Sequence, residues 1–311
     1  MPNYSVGNLI KRLRKQKGLT QEELAHPLID RATLSRIESG RAMPSKKTLE
    51  ALLEKLGFNP SNTADFFLDE EMTEIQKIHN ELDSYLVLRK LDTSDPLIAR
   101  IDDLIETLEN NRRFMKNELN QQFVQITKAM NAINKKVDVG TIRDMLREAI
   151  KISIPEFNEE QFEDYHLSKQ DMQIINMIAM LYADEGEDEK SLEMYRSMKC
   201  NMDKNCIDKI EMGRNYPTII YNMVIQLLYL KRYNEAIEFC DIGSKVCRDT
   251  RSLYYLPMIT LVKANCLNDL GEKAECERLL RQVYYACDMF DNHDGKNIAK
   301  TVAKNELGVE L

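Results

Sequence analysis

The stretch TQEELAHPLIDRATLSRIESG, residues 20–40, decides how the first part of this chain folds. Thr20 has the chemistry of a helix N-cap, and Glu23 follows at capping-box spacing. Leu24 and Leu28 fall on one face of a first short helix. Leu34 and Ile37 fall on one face of a second, which Gly40 closes. If that second helix hides Leu34 and Ile37, it presents Arg31, Ala32, Ser35 and Arg36 to solvent. The layout is that of a helix-turn-helix, whose second helix can enter a major groove.

The flanks continue the pattern. Upstream, a helix over about 5–17 carries Val6, Ile10 and Leu13 inward and Lys11, Arg12, Lys15 and Lys17 outward, and Gly18 stops it. Downstream, Ser45 or Lys46 opens a helix with Leu49, Leu52, Leu53 and Leu56 on its apolar side, ending at Gly57. Pro27 interrupts the first motif helix at its last turn, so the turn must be tight or altered.

Charge separates this head from the rest. The chain of 311 residues has net charge −8, yet residues 1–60 hold 11 Lys+Arg against 6 Asp+Glu. The remainder holds 32 basic and 45 acidic residues. A basic head on an acidic body suits a nucleic-acid-binding module joined to something that stays off nucleic acid. No apolar run reaches membrane-spanning length, and the N-terminus lacks the order of a signal peptide. All seven cysteines lie beyond residue 199 without a C-x-x-C pair, and the four histidines are scattered. The expectation is a cytoplasmic protein with reduced core cysteines and no metal or other cofactor. No phosphate loop or nucleophile–base arrangement is visible, so enzymatic activity is not expected.

Beyond a Pro-, Ser- and Asn-bearing stretch at 59–69, the chain reads as helix nearly throughout, with helices expected at 72–91, 97–110, 113–135 and 141–152. Three segments then repeat: INMIAMLYADEGEDEKSLEMY (175–195), YNMVIQLLYLKRYNEAIEFC (221–240) and VKANCLNDLGEKAECERLL (262–280). Each is an apolar helix, a polar turn and an amphipathic helix with a small residue inside: Ser191, Ala236 and Cys276. A last helix is expected near 296–306. The predicted fold is all-α, an N-terminal helix-turn-helix domain (1–62), a linker (63–71) and a right-handed α-solenoid like tetratricopeptide (TPR) repeats (72–311).

The concave side of such a stack is a partner surface. Asn176, Asn222 and Asn265 fall at near-equivalent positions, with Gln226 and Asn268 one turn on. Side-chain amides can both donate to and accept from an extended peptide backbone. Met180, Met223, Tyr182 and Tyr229 offer apolar contact, and Arg214 and Lys263 suit a terminal carboxylate. The opposing reading is that the asparagines satisfy neighbouring backbone within the solenoid.

TQEELA followed by LSRIESG resembles the Cro/C1-type (XRE) helix-turn-helix family over about 55 residues. The resemblance implies that Arg31, Ala32 and Arg36 face bases, with Thr33 and Ser35 at the edges. It implies that Gln21 meets a phosphate at a helix N-terminus, with Arg41, Lys46 and Lys47 as further phosphate contacts. It also implies that Arg14 and Glu38 pair structurally. Head and body together resemble the peptide-pheromone-responsive regulators of Gram-positive bacteria, the group that includes PlcR, Rgg and PrgX, with ISIPEF (152–157) most like the PlcR-type branch. That resemblance implies a homodimer that binds a double-stranded operator under control of a short signalling peptide, as in quorum sensing. The alternative is a TPR interaction protein with a protein partner, such as a response regulator, for which DNA binding is secondary.

Overall fold

A computed structural model describes residues 6–57, 70–85, 95–205 and 209–311, apart from the side chains of residues 70–72, 209–211 and 214. The described residues are helical, with no strand among them. The expected linker at 63–71 falls outside them up to residue 69, and residues 70 and 71 open a helix. The chain divides into two compact units, residues 1–89 with 103–114, and residues 90–102 with 115–311.

Four short helices form the head: α1 (Val6–Gln16), α2 (Gln21–Ala25), α3 (Arg31–Glu38) and α4 (Lys46–Lys55). Side chains set three of their starts. Thr20 accepts from Glu23 N–H while Glu23 returns a bond to Thr20 N–H, Asp30 caps α3 and Ser45 caps α4. Ile10, Leu24, Leu34, Leu49, Leu52 and Leu53 meet in one core with almost no exposure. Gly40 follows α3 in the left-handed region at φ 72°, where a side chain is disfavoured. In α1, Gly7 lets the helix cross α3 closely: a Cβ there would lie 1.8 Å from the Ile37 carbonyl oxygen.

One sequence expectation fails at Pro27. The first motif helix ends at Ala25, and Leu28 is 40% exposed instead of continuing the Leu24 face. Proline supplies no N–H to extend the helix, so the chain turns, with Leu28 and Ile29 N–H both donating to Ala25 O. Ile29 joins the head core in place of Leu28. Lys55 Nζ reaches across from α4 to the carbonyls of Glu23 and His26 at the broken helix end.

Then come α5 (Glu70–Tyr85), α6 (Pro96–Asn110), α7 (Glu118–Asn134), α8 (Val139–Ser153), α9 (Lys169–Asp184), α10 (Asp188–Asn205), α11 (Lys209–Tyr229), α12 (Tyr233–Thr250), α13 (Leu256–Asp269), α14 (Lys273–Met289) and α15 (His293–Val302). From α7 onward each helix packs on the next, and α7, α9, α11, α13 and α15 also touch in sequence. That is the connectivity of a helical-pair solenoid. Six turns of the body share one backbone device. Lys136, Gly186, Lys231, Arg251, Gly271 and Asp291 each take a positive φ just after a helix. At each, the following N–H bonds back to a carbonyl in the last helical turn: Val137 to Ala132, Glu187 to Tyr182, Arg232 to Leu227, Ser252 to Cys247, Glu272 to Leu267 and Asn292 to Cys287. Ser191, Ala236 and Cys276, the small residues of the three repeats, are all at 0% exposure. Large side chains there would separate the paired helices. No helix among the described residues is long and apolar enough to cross a membrane.

Candidate functional site

In the head, α3 buries Leu34, Ile37 and Glu38 and exposes Arg31, Ala32, Ser35 and Arg36, with Thr33 half-buried. Thr33 N–H donates to Asp30 Oδ1 at 2.7 Å and its hydroxyl to Asp30 Oδ2 at 2.8 Å. Those bonds hold the Asp30 carboxyl below its ordinary range. Arg36 Nη2 donates to Thr33 Oγ1 at 3.3 Å. Arg41, Lys46 and Lys47 are exposed beyond α3, and Lys11, Arg12, Lys15 and Lys17 are exposed on α1. Lys46 lies 3.9 Å from Glu50, a loose pair on a wet surface.

Beneath this surface, Arg14 and Glu38 form the pair that the resemblance implied, at 2.6 Å and nearly shielded from water. Gln21 Nε2 also donates to Glu38, at 2.8 Å. The Gln21 amide therefore sits on a carboxylate at the first turn of α2. No signal at Gln21 itself announces this, because the partner lies 17 positions away.

In the body, the first helices of successive pairs bring part of the amide row together. Asn222 Nδ2 donates to Asn176 Oδ1 at 2.7 Å, bridging α11 to α9. Asn176 Nδ2 faces the Met180 sulfur at 3.7 Å, a weak acceptor, and Met180 is 45% exposed. Gln226, one turn beyond Asn222, is buried, and its Oε1 has no hydrogen-bond partner among the described residues. Tyr229 is 71% exposed at the end of α11. Asn265 is half-buried on α13 and takes no part in the amide pair. Asn268 Oδ1 accepts from Lys273 Nζ at 2.6 Å, and Lys263 is held by Asp241 at 2.6 Å. Arg214 lies in α11, with its side chain outside the described ones.

Tyr182 and Met223 do not offer the expected apolar contact on the amide side, since both side chains are buried. On α9 the open stripe runs through Gln173, Asn176 and Met180, and Tyr182 lies off it. Its hydroxyl donates to Glu159 at 2.9 Å and accepts from Arg147 at 3.0 Å. Lys190 Nζ and the Arg143 guanidinium lie 4.1 and 4.8 Å from its ring centroid. A cavity of about 810 Å³ opens beside this cluster, lined also by Phe157, Met194 and Ser197. Sequence reasoning missed it, because its residues come from three helices and a loop. Five cysteines behave as core: Cys240, Cys247, Cys266, Cys276 and Cys287 are buried, and burial pushes the Cys247 and Cys266 thiols up to about 11, while Cys200 is half-buried. Cys206 lies outside the described residues.

Comparison with known proteins agrees with both halves. A helix-turn-helix family model matches residues 10–61, and the model of the RNPP family C-terminal domain matches residues 97–301. The ImmF control region 10 kDa protein of Bacillus phage phi105 is 43% identical over 76 residues, 24% of this chain and 74% of that protein. PlcR of Bacillus thuringiensis, solved with the peptide PapR7 and DNA, shares 19% identity over 95% of this chain and 98% of its own, with a TM-score of 0.67. The SHP pheromone receptor Rgg2 of Streptococcus dysgalactiae has a TM-score of 0.57 at 13% identity, covering 97% of this chain and all of its own. ComR of S. thermophilus, solved with DNA and its signalling peptide ComS, has a TM-score of 0.56 at 18% identity, covering 98% of this chain and all of its own. These likenesses give the fold, a helix-turn-helix followed by a TPR-like solenoid, and with the C-terminal model matched over about two thirds of its length the chain belongs to the RNPP family.

Proposed function

We propose that this chain is a sequence-specific transcriptional regulator whose solenoid takes a short signalling peptide and thereby controls operator binding. In this reading, residues 1–62 are the DNA-binding head and residues 72–311 the peptide-binding and dimerisation body. Two observations support it, one for each half. The first is the exposed row Arg31, Ala32, Ser35 and Arg36 on a helix whose other side is core. Arginine reads guanine O6 and N7 with two hydrogen bonds, while Gln21, Arg41, Lys46 and Lys47 are the candidate phosphate contacts.

The observation that carries the peptide half is the Asn222–Asn176 bond between first helices, with the unpartnered Gln226 Oε1 a turn away. A buried amide oxygen without a partner forfeits a hydrogen bond to water, and of the four such oxygens among the described residues, on Gln122, Asn131, Gln170 and Gln226, that of Gln226 is the one a turn from Asn222. An extended peptide laid across α9 and α11 offers backbone N–H groups to such oxygens. Met180 and Tyr229 would supply apolar contact, and Arg214, Lys263, Asn265 and Asn268 would extend the site toward its ends. PlcR and ComR, whose folds this chain shares, have each been solved with both a peptide and DNA. The peptide acts only if it binds one dimer state better than the other. A homodimer then presents two α3 helices to half-sites about one helical turn apart. Such a protein works in the cytoplasm as a regulator rather than as an enzyme.

The test is binding of the full-length protein to its own upstream DNA, with and without short synthetic peptides from small neighbouring reading frames. A peptide that shifts DNA affinity establishes a ligand-gated regulator. DNA binding that ignores every peptide transfers the body's role to a protein partner.

A further inference from the structure

Arg36 is one of two arginines on the open side of α3, and its guanidinium is held by its own helix. Asp30, Thr33 and Arg36 stand three residues apart, so they share one stripe. The donors along that stripe run in one direction. Arg36 Nη2 donates to Thr33 Oγ1 at 3.3 Å, and Thr33 Oγ1 donates to Asp30 Oδ2 at 2.8 Å. The hydroxyl proton is thereby committed to the carboxylate, and the threonine oxygen offers Arg36 only its lone pairs. The other Asp30 oxygen accepts Thr33 N–H at 2.7 Å, which fixes the carboxylate as the cap of α3.

We propose that Thr33, oriented by Asp30, is a positioning residue for Arg36: it holds the guanidinium back along the N-terminal half of α3 and so sets base specificity without itself touching a base. The inference rests on the reading of α3 as the DNA-reading helix. An unheld arginine must lose rotamer freedom when it docks, and a held one loses less. The single bond to Thr33 leaves the remaining N–H donors for a base edge. The Asp30 carboxylate also occupies the helix end that would otherwise attract a phosphate. Both effects favour base contact over backbone contact at this end of the helix.

The test uses the full-length protein and two probes. One is a duplex that the wild-type protein selects from a randomised library, the other a scrambled duplex of the same composition. Thr33→Val keeps the shape and the capping N–H but removes the hydroxyl. It is expected to weaken binding to the selected duplex about tenfold, the order of one lost directional contact. Binding to the scrambled duplex, and its salt dependence, stay unchanged because no charge is lost. Thr33→Ser restores the selected affinity, and Thr33→Val adds nothing further in an Arg36→Ala background. Helicity and melting of Thr33→Val match the wild type. If Thr33→Val keeps the selected affinity while Arg36→Ala loses it, the positioning role is wrong and the reading of α3 stands. If Thr33→Val loses both duplexes equally, Thr33 is a phosphate contact and the proposal is overturned. If Arg36→Ala binds both duplexes like the wild type, the reading of α3 fails and the proposal falls with it.

Discussion

Arg14 and Glu38, 24 positions apart, close a two-pronged ion pair inside the head, with Nε 2.6 Å from Oε1 and Nη2 2.9 Å from Oε2. Their side chains are 10% and 2% exposed. Arg14 Nη1 also donates to Leu19 O, and Gln21 donates to Glu38, so α1, α2 and α3 meet at one carboxylate. Removing either partner leaves a charge buried and unpaired, at a cost of about 3 kcal/mol. Glu38→Ala is therefore expected to lower amide-exchange protection across α1 and α3 while that of α9 to α14 is unchanged.

The same pair sets an acid limit. Burial pushes the Glu38 carboxyl up, but hydrogen bonds from Arg14 and Gln21 and the Arg14 charge outweigh it and hold the group below its ordinary value. A carboxyl lowered on folding stabilises above its unfolded pKa, and the contribution is lost as pH falls through the folded one. Head stability should hold through neutrality and decline below about pH 4.3, the unfolded value. Glu38→Gln should flatten that decline, and a variant profile parallel to the wild type at every pH would rule the assignment out.

Gly7 offers a sharper steric test. A Cβ there would meet the Ile37 carbonyl oxygen at 1.8 Å and the Glu38 Cα at 3.1 Å, and both belong to the α3 backbone. Backbone cannot swing aside as a side-chain end can, so Gly7→Ala must push α1 away from α3. Overpacking of this kind costs about 1–3 kcal/mol. The expected result is a head that loses both exchange protection and DNA binding. Full retention of both would mean that the two helices can separate freely at this crossing.

What could be read from the sequence was local or repeated. The Thr20–Glu23 box and the Ser45 cap involve residues three apart. Ser191, Ala236 and Cys276 recur in three similar segments, so their burial followed from the repeat. The misreadings came from contacts between distant positions or from backbone the periodicity could not follow. Leu28 continues the Leu24 stripe only if the helix does, and Pro27 ends it. Met223 and Tyr182 look like their neighbours, half-buried Asn222 and exposed Met180, until the packing of the helix pairs decides which side is inward. The bond from Gln21 to Glu38 was equally out of reach of the sequence, because the two residues lie 17 positions apart.

Asn201 shows the same limit. It is 3% exposed on α10, and its Nδ2 lies 3.1, 3.0 and 2.8 Å from the carbonyls of Phe162, Glu163 and Tyr165. This amide, with the longer bonds of Asn205 to two of the same carbonyls, ties down the long connection between α8 and α9, where Phe157 also packs on Phe162 and Tyr165. Asn201→Ala takes the donor from the Phe162 carbonyl and leaves those of Glu163 and Tyr165 only the longer bonds from Asn205, at about 1–3 kcal/mol. Limited proteolysis should cut within residues 154–168 faster than in the wild type, with the rest of the solenoid intact. Equal cutting rates would show that the aromatic cluster and the bonds from Arg147, Ser197, Lys204 and Asn205 hold the segment without Asn201.

The amide pair gives the most direct test of the peptide site. Gln226 is 7% exposed with an orphan Oε1, and an unmet buried acceptor costs about 1–3 kcal/mol. Gln226→Met keeps the volume and removes that cost, so without peptide the variant should melt higher than the wild type. If the oxygen serves a peptide N–H, the same variant should bind the cognate peptide about tenfold more weakly, the value of roughly one net hydrogen bond. Asn222→Ala should behave differently. It loses the 2.7 Å bond to Asn176, so its stability falls by about 1 kcal/mol while peptide affinity also falls. Calorimetric melting and peptide titration of both variants separate the cases. A gain in stability at Gln226 with unchanged peptide affinity would make the orphan oxygen a packing defect and move the peptide off α11. Opposite changes in stability with a shared loss of affinity would place an extended backbone across Asn222 and Gln226.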